Sequence, residues 1–489
     1  VKKEFRSSLR GGTSNKAEAI PMRLLRRPPK KRRRAPRNDK DLASLDKKYI
    51  WHPFTQMADW AKEEILIMEK AEGVYLTDTE GRRYIDGVSS LWCNVHGHRV
   101  PEIDRAILDQ LGKMAHSTFL GLSHVSAIEL AKELIAIAPP GLTRVFYSDS
   151  GSEAVEIALK MAYQYWQQRG EKKKTRFARL THAYHGDTLG AVSVGGIRLF
   201  HEVYKPLLFE THEISTPYVY RWPSPKGRWL TATEVREEAL GQMEELFKRH
   251  GAEIAALVME PLIQGAAGMI DQPAGYISRV RELTSRYNIL LIFDEVATGF
   301  GRTGKMFAAD HEKVTPDLMA VAKGLTGGYL PLAVTLATEE IYRAFLGDYS
   351  EFKTFFHGHT YTANPLACRA ALATLEIFKK KKTLEKLGGK IDFLRDKLKA
   401  FWGLSHVGDI RQAGFMVGIE LVEDRKTKEP YPLEKKMGIR VIEEARKRKT
   451  ILRPLGNVIV LMPPLAIPNP VLGELIDCTY ESIRSATES

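Results

Sequence analysis

An α/β fold with a mostly parallel sheet flanked by helices, joined to a smaller α+β domain, is what the sequence predicts. Three observations predict it. From about residue 100, short apolar runs alternate with helix-length amphipathic stretches, the pattern of strands and crossover helices. Several of those runs stop abruptly at polar or charged residues, as strands do at a sheet edge. The composition, 44% hydrophobic and 27% charged over 489 residues, suits a globular chain of two to four units at about 100–200 residues each.

The first segment departs from this pattern. Residues 1–40 hold 15 Lys or Arg against three acids, so +12 of the net +13 lies there. The block runs through Lys30-Lys31-Arg32-Arg33-Arg34, has prolines at 28, 29 and 36, and shows no apolar period. Residues 1–47 are therefore expected to be a basic disordered tail, because such a composition buries too little to order itself. A second reading is an early start assignment, since the chain opens at Val1 and Met22 lies downstream. A nucleic-acid arm is the remote third reading, as charge runs alone carry little information. The remaining residues sum to +1 and offer no basic footprint.

Later elements follow in order. Residues 73–86 read as a hairpin around the turn 78–81. Residues 144–147 precede a helix from Glu153 to about Gln168. Further strands are expected at 177–180, 254–259, 289–293, 318–322 and 332–337, with helices at 234–248 and 275–287. Beyond about 375, a lysine-rich helix leads into 407–420, 458–462 and a final helix. The expected units are 48–100 as the first part of a small domain, 101–375 as the large domain and 376–489 as the rest of the small one. No apolar run approaches the roughly 18 residues of a membrane span. Three cysteines, Cys93, Cys368 and Cys478, stand in no CxxC or zinc spacing, which points to a reducing cytoplasm.

The chemistry is expected at the strand ends. The run 289–293 delivers Asp294, and 318–322 delivers Lys323. Ligands of open α/β sheets sit at such carboxyl ends, so the two would share one site. An aspartate for a ring nitrogen and a lysine for an aldehyde are what pyridoxal phosphate requires. Gly151 and Ser152 open a helix whose free N–H groups suit a phosphate, although a plain helix cap is the alternative for Ser152. Tyr184 and His185 follow the strand 177–180, and Thr360 offers a further hydroxyl. Gly299–Gly304 matches GxGxxG but follows no strand directly, so a dinucleotide fingerprint is not expected. His96-x-His98 and His357-x-His359 lack acids at metal spacing, and no metal site is expected.

These residues carry a resemblance. From about Tyr49 onward the chain resembles the class III, fold-type I, PLP-dependent aminotransferases in 148–156, 184–187, 293–304 and 322–324. Within that class it is similar to the branch that makes 7,8-diaminononanoate from 8-amino-7-oxononanoate in biotin synthesis, in 50–56, 157–166, 356–360, 452–456 and 461–464. The resemblance implies that Lys323 holds pyridoxal 5′-phosphate and Asp294 pairs with its ring nitrogen. It implies that Gly151 and Ser152 bind the phosphate, that Tyr184 stacks on the ring and that Val296 packs on the other face. Thr360, with His359 and Gly358, would reach the site from a second subunit, making a homodimer with shared sites and small-molecule substrates. Phe54, Leu91, Trp92, Tyr184, Lys323, Gly358 and Arg453 would line the substrate, with Arg453 on its carboxylate. Many members of the branch have tyrosine and tryptophan where this chain has Phe54 and Leu91, which opens lysine beside S-adenosylmethionine as amino donor. An ω-amino acid or diamine aminotransferase of the same class is the alternative.

Overall fold

The computed structural model describes residues 39–223 and 228–488. Most of the expected tail lies outside these residues, and the helix Asp39–Tyr49 reaches into its end. The described residues up to Ile67 and those from Met68 onward form two units. In the first, Asp46 anchors the turn after the helix, accepting from Trp60 Nε1 (2.8 Å) and His52 Nε2 (3.0 Å).

The second unit is organised by a seven-stranded sheet. In chain order its strands are β1 (Leu142–Ser148), β2 (Arg176–Leu180), β3 (Thr211–Ile214), β4 (Ile254–Met259), β5 (Leu290–Asp294), β6 (Leu318–Val321) and β7 (Ala333–Thr338). Their spatial order is β1-β7-β6-β5-β4-β2-β3. Only β7 runs against its neighbours. The carboxyl end of β1 therefore lies on the same edge as those of β2, β4, β5 and β6. Every residue of β4, β5 and β6 is buried, which explains their unbroken Val/Ile/Leu/Ala/Met runs. Each large aliphatic side chain fully buried there contributes about 1.5–3 kcal/mol.

Helices Gly151–Gln168, Ala232–His250 and Tyr276–Arg286 flank this sheet. The first starts at Gly151, earlier than expected, because Ser150 is its cap: Ser150 Oγ accepts from Glu153 N while the Glu153 carboxylate accepts from Ser150 N. Ser152 is thus not the cap but a first-turn residue. β3 was absent from the expected elements. The expected run 407–420 proves to be two antiparallel strands, Val407–Ala413 and Met416–Asp424, turned at Gly414 (φ 62°). These join Val458–Leu461 and Arg453–Leu455 in a second sheet. The hairpin Tyr75–Asp78 and Arg83–Asp86 pairs with Met68–Glu72 on one side and with Thr450–Ile451 on the other, linking residues from both ends of this unit. No helix among the described residues is long and apolar enough to cross a membrane.

Candidate active site

The common carboxyl edge opens into a cavity of about 760 Å³ lined by residues from five strand ends, among them Ser152, Tyr184, Glu260, Asp294 and Lys323. Asp294 is the last residue of β5 and is 4% exposed. Its Oδ2 accepts from His185 Nδ1 at 2.7 Å and its Oδ1 from Val296 N at 3.0 Å, so both oxygens are held. The His185 ring is wholly buried, and its Nε2 has no hydrogen-bond partner among the described residues. Sequence reasoning placed His185 near the edge but gave it no partner; the pairing spans 109 residues and only the topology creates it.

Lys323 follows β6, and burial pulls its ammonium well below the ordinary lysine range while Asp294 and Glu260 oppose that shift. Its Nζ lies 5.3 Å from the Trp92 ring centroid. Glu260 is a second residue that sequence reasoning missed. It terminates β4 as Asp294 terminates β5, and the same signal, an acid after an apolar run, marks it. Burial pushes it up to about 7, with His185 and the backbone N–H groups of Gly265 and Tyr184 working in the other direction. Those N–H groups donate at 2.8 Å and 3.2 Å, so Glu260 fixes the backbone of Tyr184. The Tyr184 hydroxyl donates to Asp187 (2.8 Å), and burial raises it above the ordinary tyrosine range.

The N-terminus of the helix Gly151–Gln168 lies beside these groups. The capping box around Ser150 takes the N–H groups of Ser150 and Glu153, leaving those of Gly151 and Ser152 at the positive end of a long helix. Ser152 Oγ exchanges a hydrogen bond with Thr188 Oγ1 (2.8 Å) and accepts from Thr188 N (3.0 Å). A Cβ on Gly151 would come within 2.7 Å of Val296, and one on Gly186 (φ 116°) within 2.3 Å of Ser152 Oγ. Glycine at both positions is therefore a steric requirement.

Trp92 enters the cavity on a left-handed turn. Ser89, Ser90, Leu91 and Trp92 all have positive φ (50°, 49°, 80° and 71°), which costs about 1–2 kcal/mol per residue. Hydrogen bonds hold the turn. Asp86 accepts from Ser90 N (2.9 Å) and Oγ (2.7 Å), and Ser89 Oγ donates to Met462 O (2.7 Å). Buried Arg302 donates to the carbonyls of Trp92, Asn94 and Pro463, and burial brings it down to about 10. The turn points Trp92 inward and leaves Leu91 exposed (48%), outside the cavity lining.

The other expected residues are placed unevenly. Val296 lines the cavity. Arg453 is half-buried with its Nε unpartnered; burial lowers its pKa and Tyr184 raises it, yet Arg453 is not a lining residue. Gly358 and Thr360 are exposed and outside the lining. His359 Nδ1 lies 3.4 Å from Asp149, which does line the cavity. Phe54 belongs to the first unit. In the first HxH pair His96 Nε2 donates to Thr374 O (3.1 Å) and His98 contacts Asp86 (3.0 Å). In the second, His357 Nδ1 is 3.1 Å from Lys160 Nζ. His359, expected to lack nearby acids, lies beside Asp149 and Glu153, which the fold brings to it from a distant part of the sequence.

A half-buried lysine, a doubly held aspartate and the N-terminus of a long helix thus meet around one cavity at one sheet edge. The chain belongs to the class-III aminotransferases, whose family model matches residues 56–483. It is 53% identical over 446 residues to the adenosylmethionine-8-amino-7-oxononanoate aminotransferase of Geobacter sulfurreducens, covering 91% of this chain and 98% of that protein. The crystal structure of the enzyme of the same name from Methanocaldococcus jannaschii superposes with a TM-score of 0.87 at 49% identity, covering 92% of this chain and 99% of that one. An (S)-enantioselective omega-transaminase from Thermomicrobium roseum gives 0.86 at 33% identity over 92% and 98%. The backbone alone does not separate these two activities; sequence identity does.

Proposed function

We propose that this aminotransferase converts 8-amino-7-oxononanoate to 7,8-diaminononanoate in biotin synthesis, using pyridoxal 5′-phosphate held by Lys323. The observation that carries this reading is the near end-to-end match, at about half identity, to relatives named for that reaction.

The residues fit the cofactor. Lys323 presents a half-buried amine at the cavity, and desolvation lowers its pKa toward the neutral, nucleophilic form. Asp294 offers a fixed carboxylate for a ring nitrogen, and the N–H groups of Gly151 and Ser152 suit a phosphate. Tyr184 and Val296 supply the surfaces for the ring. When bound, pyridoxal phosphate supplies the electron sink that makes the carbon beside a substrate amine acidic. Once the substrate amine has displaced it from the cofactor, Lys323 would be free to take the proton from that carbon as base and return one as acid. His185 positions Asp294 by holding Oδ2, and Glu260 positions Tyr184. Arg453 is assigned to the substrate carboxylate, a task suited to a planar guanidinium.

The unit we propose is a homodimer in which the loop carrying Gly358, His359 and Thr360 completes the phosphate site of a second copy. The exposure of Thr360, which is not among the residues lining its own chain's cavity, supports this. Three free cysteines support a reducing cytoplasm as its compartment.

S-adenosylmethionine is the proposed donor, because the relatives' names include it and the Trp92 face suits a sulfonium at about 0.5–2 kcal/mol. The test is to give purified protein 8-amino-7-oxononanoate with S-adenosylmethionine or with lysine and to measure the diamine by mass spectrometry. Diamine from S-adenosylmethionine is expected. Diamine from lysine alone would give weight to Phe54 and Leu91. No diamine from either donor, with turnover of ω-amino acids, would move the chain to another activity of its class.

A further inference from the structure

We propose that His212, His250 and Glu253 form a site for a borderline divalent transition metal, zinc foremost, at the outer edge of the large sheet. None of the three lines the cavity. Their donor atoms all lie within 4.8 Å of one another. Glu253 Oε1 is 3.0 Å from His212 Nε2 and 2.9 Å from His250 Nδ1, and the two rings are 4.5 Å apart at 33°. Tetrahedral zinc with ligands at about 2.0–2.2 Å spaces its donors about 3.3 Å apart, so each Glu253–histidine pair needs to open by only a few tenths of an ångström, and the two histidine nitrogens already lie within 4.8 Å of each other.

The backbone holds this arrangement from three directions. His212 sits on the edge strand β3, in register with Ala178. His250 ends the helix Ala232–His250. Glu253 N donates to His250 O (2.9 Å), and Glu253 O accepts from the N–H groups of Thr175 (3.0 Å) and Arg176 (2.9 Å). The side chains are 21%, 42% and 40% exposed for His212, His250 and Glu253, which leaves an entry path and a fourth position for water. Two imidazoles and one carboxylate suit zinc, nickel, cobalt or copper better than calcium or magnesium. On binding, each ring coordinates through the nitrogen now facing Glu253 and keeps its proton on the other. The metal would tie the sheet's edge strand to the end of a helix.

The experiment titrates zinc chloride into chelator-stripped full-length protein by calorimetry, for the wild type and for His212→Ala, His250→Ala, Glu253→Gln and His359→Ala. The last variant addresses the other three-residue cluster, Asp149, Glu153 and His359. One zinc per chain is expected in the wild type and in His359→Ala, with affinity at least about tenfold weaker in each trio variant. Cobalt should give visible bands of tetrahedral intensity that Glu253→Gln, a surface change that preserves shape, abolishes. Circular dichroism confirms that each variant is folded. Absence of saturable zinc binding, binding undiminished in folded trio variants, or binding lost only in His359→Ala would overturn the proposal.

Discussion

The strand-end half of the active site and the loop 356–361 are built in opposite ways. Asp294, His185 and Glu260 are buried, and Lys323 half-buried, at the ends of strands or just beyond them, and each carboxylate has a partner for both oxygens. In the loop, Phe356 is 74% exposed, Tyr361 is 56% exposed, and His359 makes the contact toward the cavity through Asp149. Proton transfer needs atoms fixed to a fraction of an ångström, which a close-packed sheet provides. In the proposed homodimer these exposed aromatic residues would be covered by the second copy. The proposal of a shared site rests on this difference.

The contrast orders the expected effects of mutation. Lys323→Ala should abolish turnover and the cofactor's visible absorption band, because no other lysine among the described residues lines the cavity; an undiminished band would show that another lysine holds the cofactor. Asp294→Asn should retain cofactor yet slow turnover by about two to three orders of magnitude, the range seen when one preorganised electrostatic group is removed. Near-normal rates would refute its role at the ring nitrogen. Thr360→Ala should weaken cofactor retention by about 10–100-fold through one lost charge-assisted hydrogen bond, with little effect on kcat at saturating cofactor. An equal loss of kcat would place Thr360 with the strand-end group.

The smallest effect concerns stability. Glu260 is raised from 4.5 to about 7, so the folded chain binds more protons than the unfolded chain between those values. Its contribution is present in full below about pH 4.5 and is lost as pH rises through about 7. The melting temperature of Glu260→Gln relative to wild type should therefore improve from about pH 5 to about pH 8. A difference that stays flat across this range would show that Glu260 is ionised throughout.

How far the sequence disclosed this site depends on the distance over which each feature is encoded. Asp294 and Lys323 were legible because an apolar run followed by a charged residue is a local signal. Glu260 carries the same signal and was passed over. The role of His185 is non-local, since its partner lies on another strand. The left-handed turn at 89–92 was invisible, because Ser-Ser-Leu-Trp contains no glycine to announce positive φ. In the fold, β4, β5 and β6 stood out by their unbroken apolar runs. Edge strand β3, Thr-His-Glu-Ile, did not, because only its last residue is buried. The metal trio joins a strand residue to a helix end, and no spacing rule links them.

Subunit mixing tests the division of the site most directly. Lys323→Ala and Thr360→Ala proteins are each assayed at limiting cofactor, then mixed under conditions of confirmed subunit exchange. If Thr360 serves the partner's cavity, each hybrid dimer holds one site with both lesions and one with neither, and the pool should recover about a quarter of wild-type activity. Activity that stays at the average of the two parents after exchange would contradict the shared site and return Thr360 to its own chain.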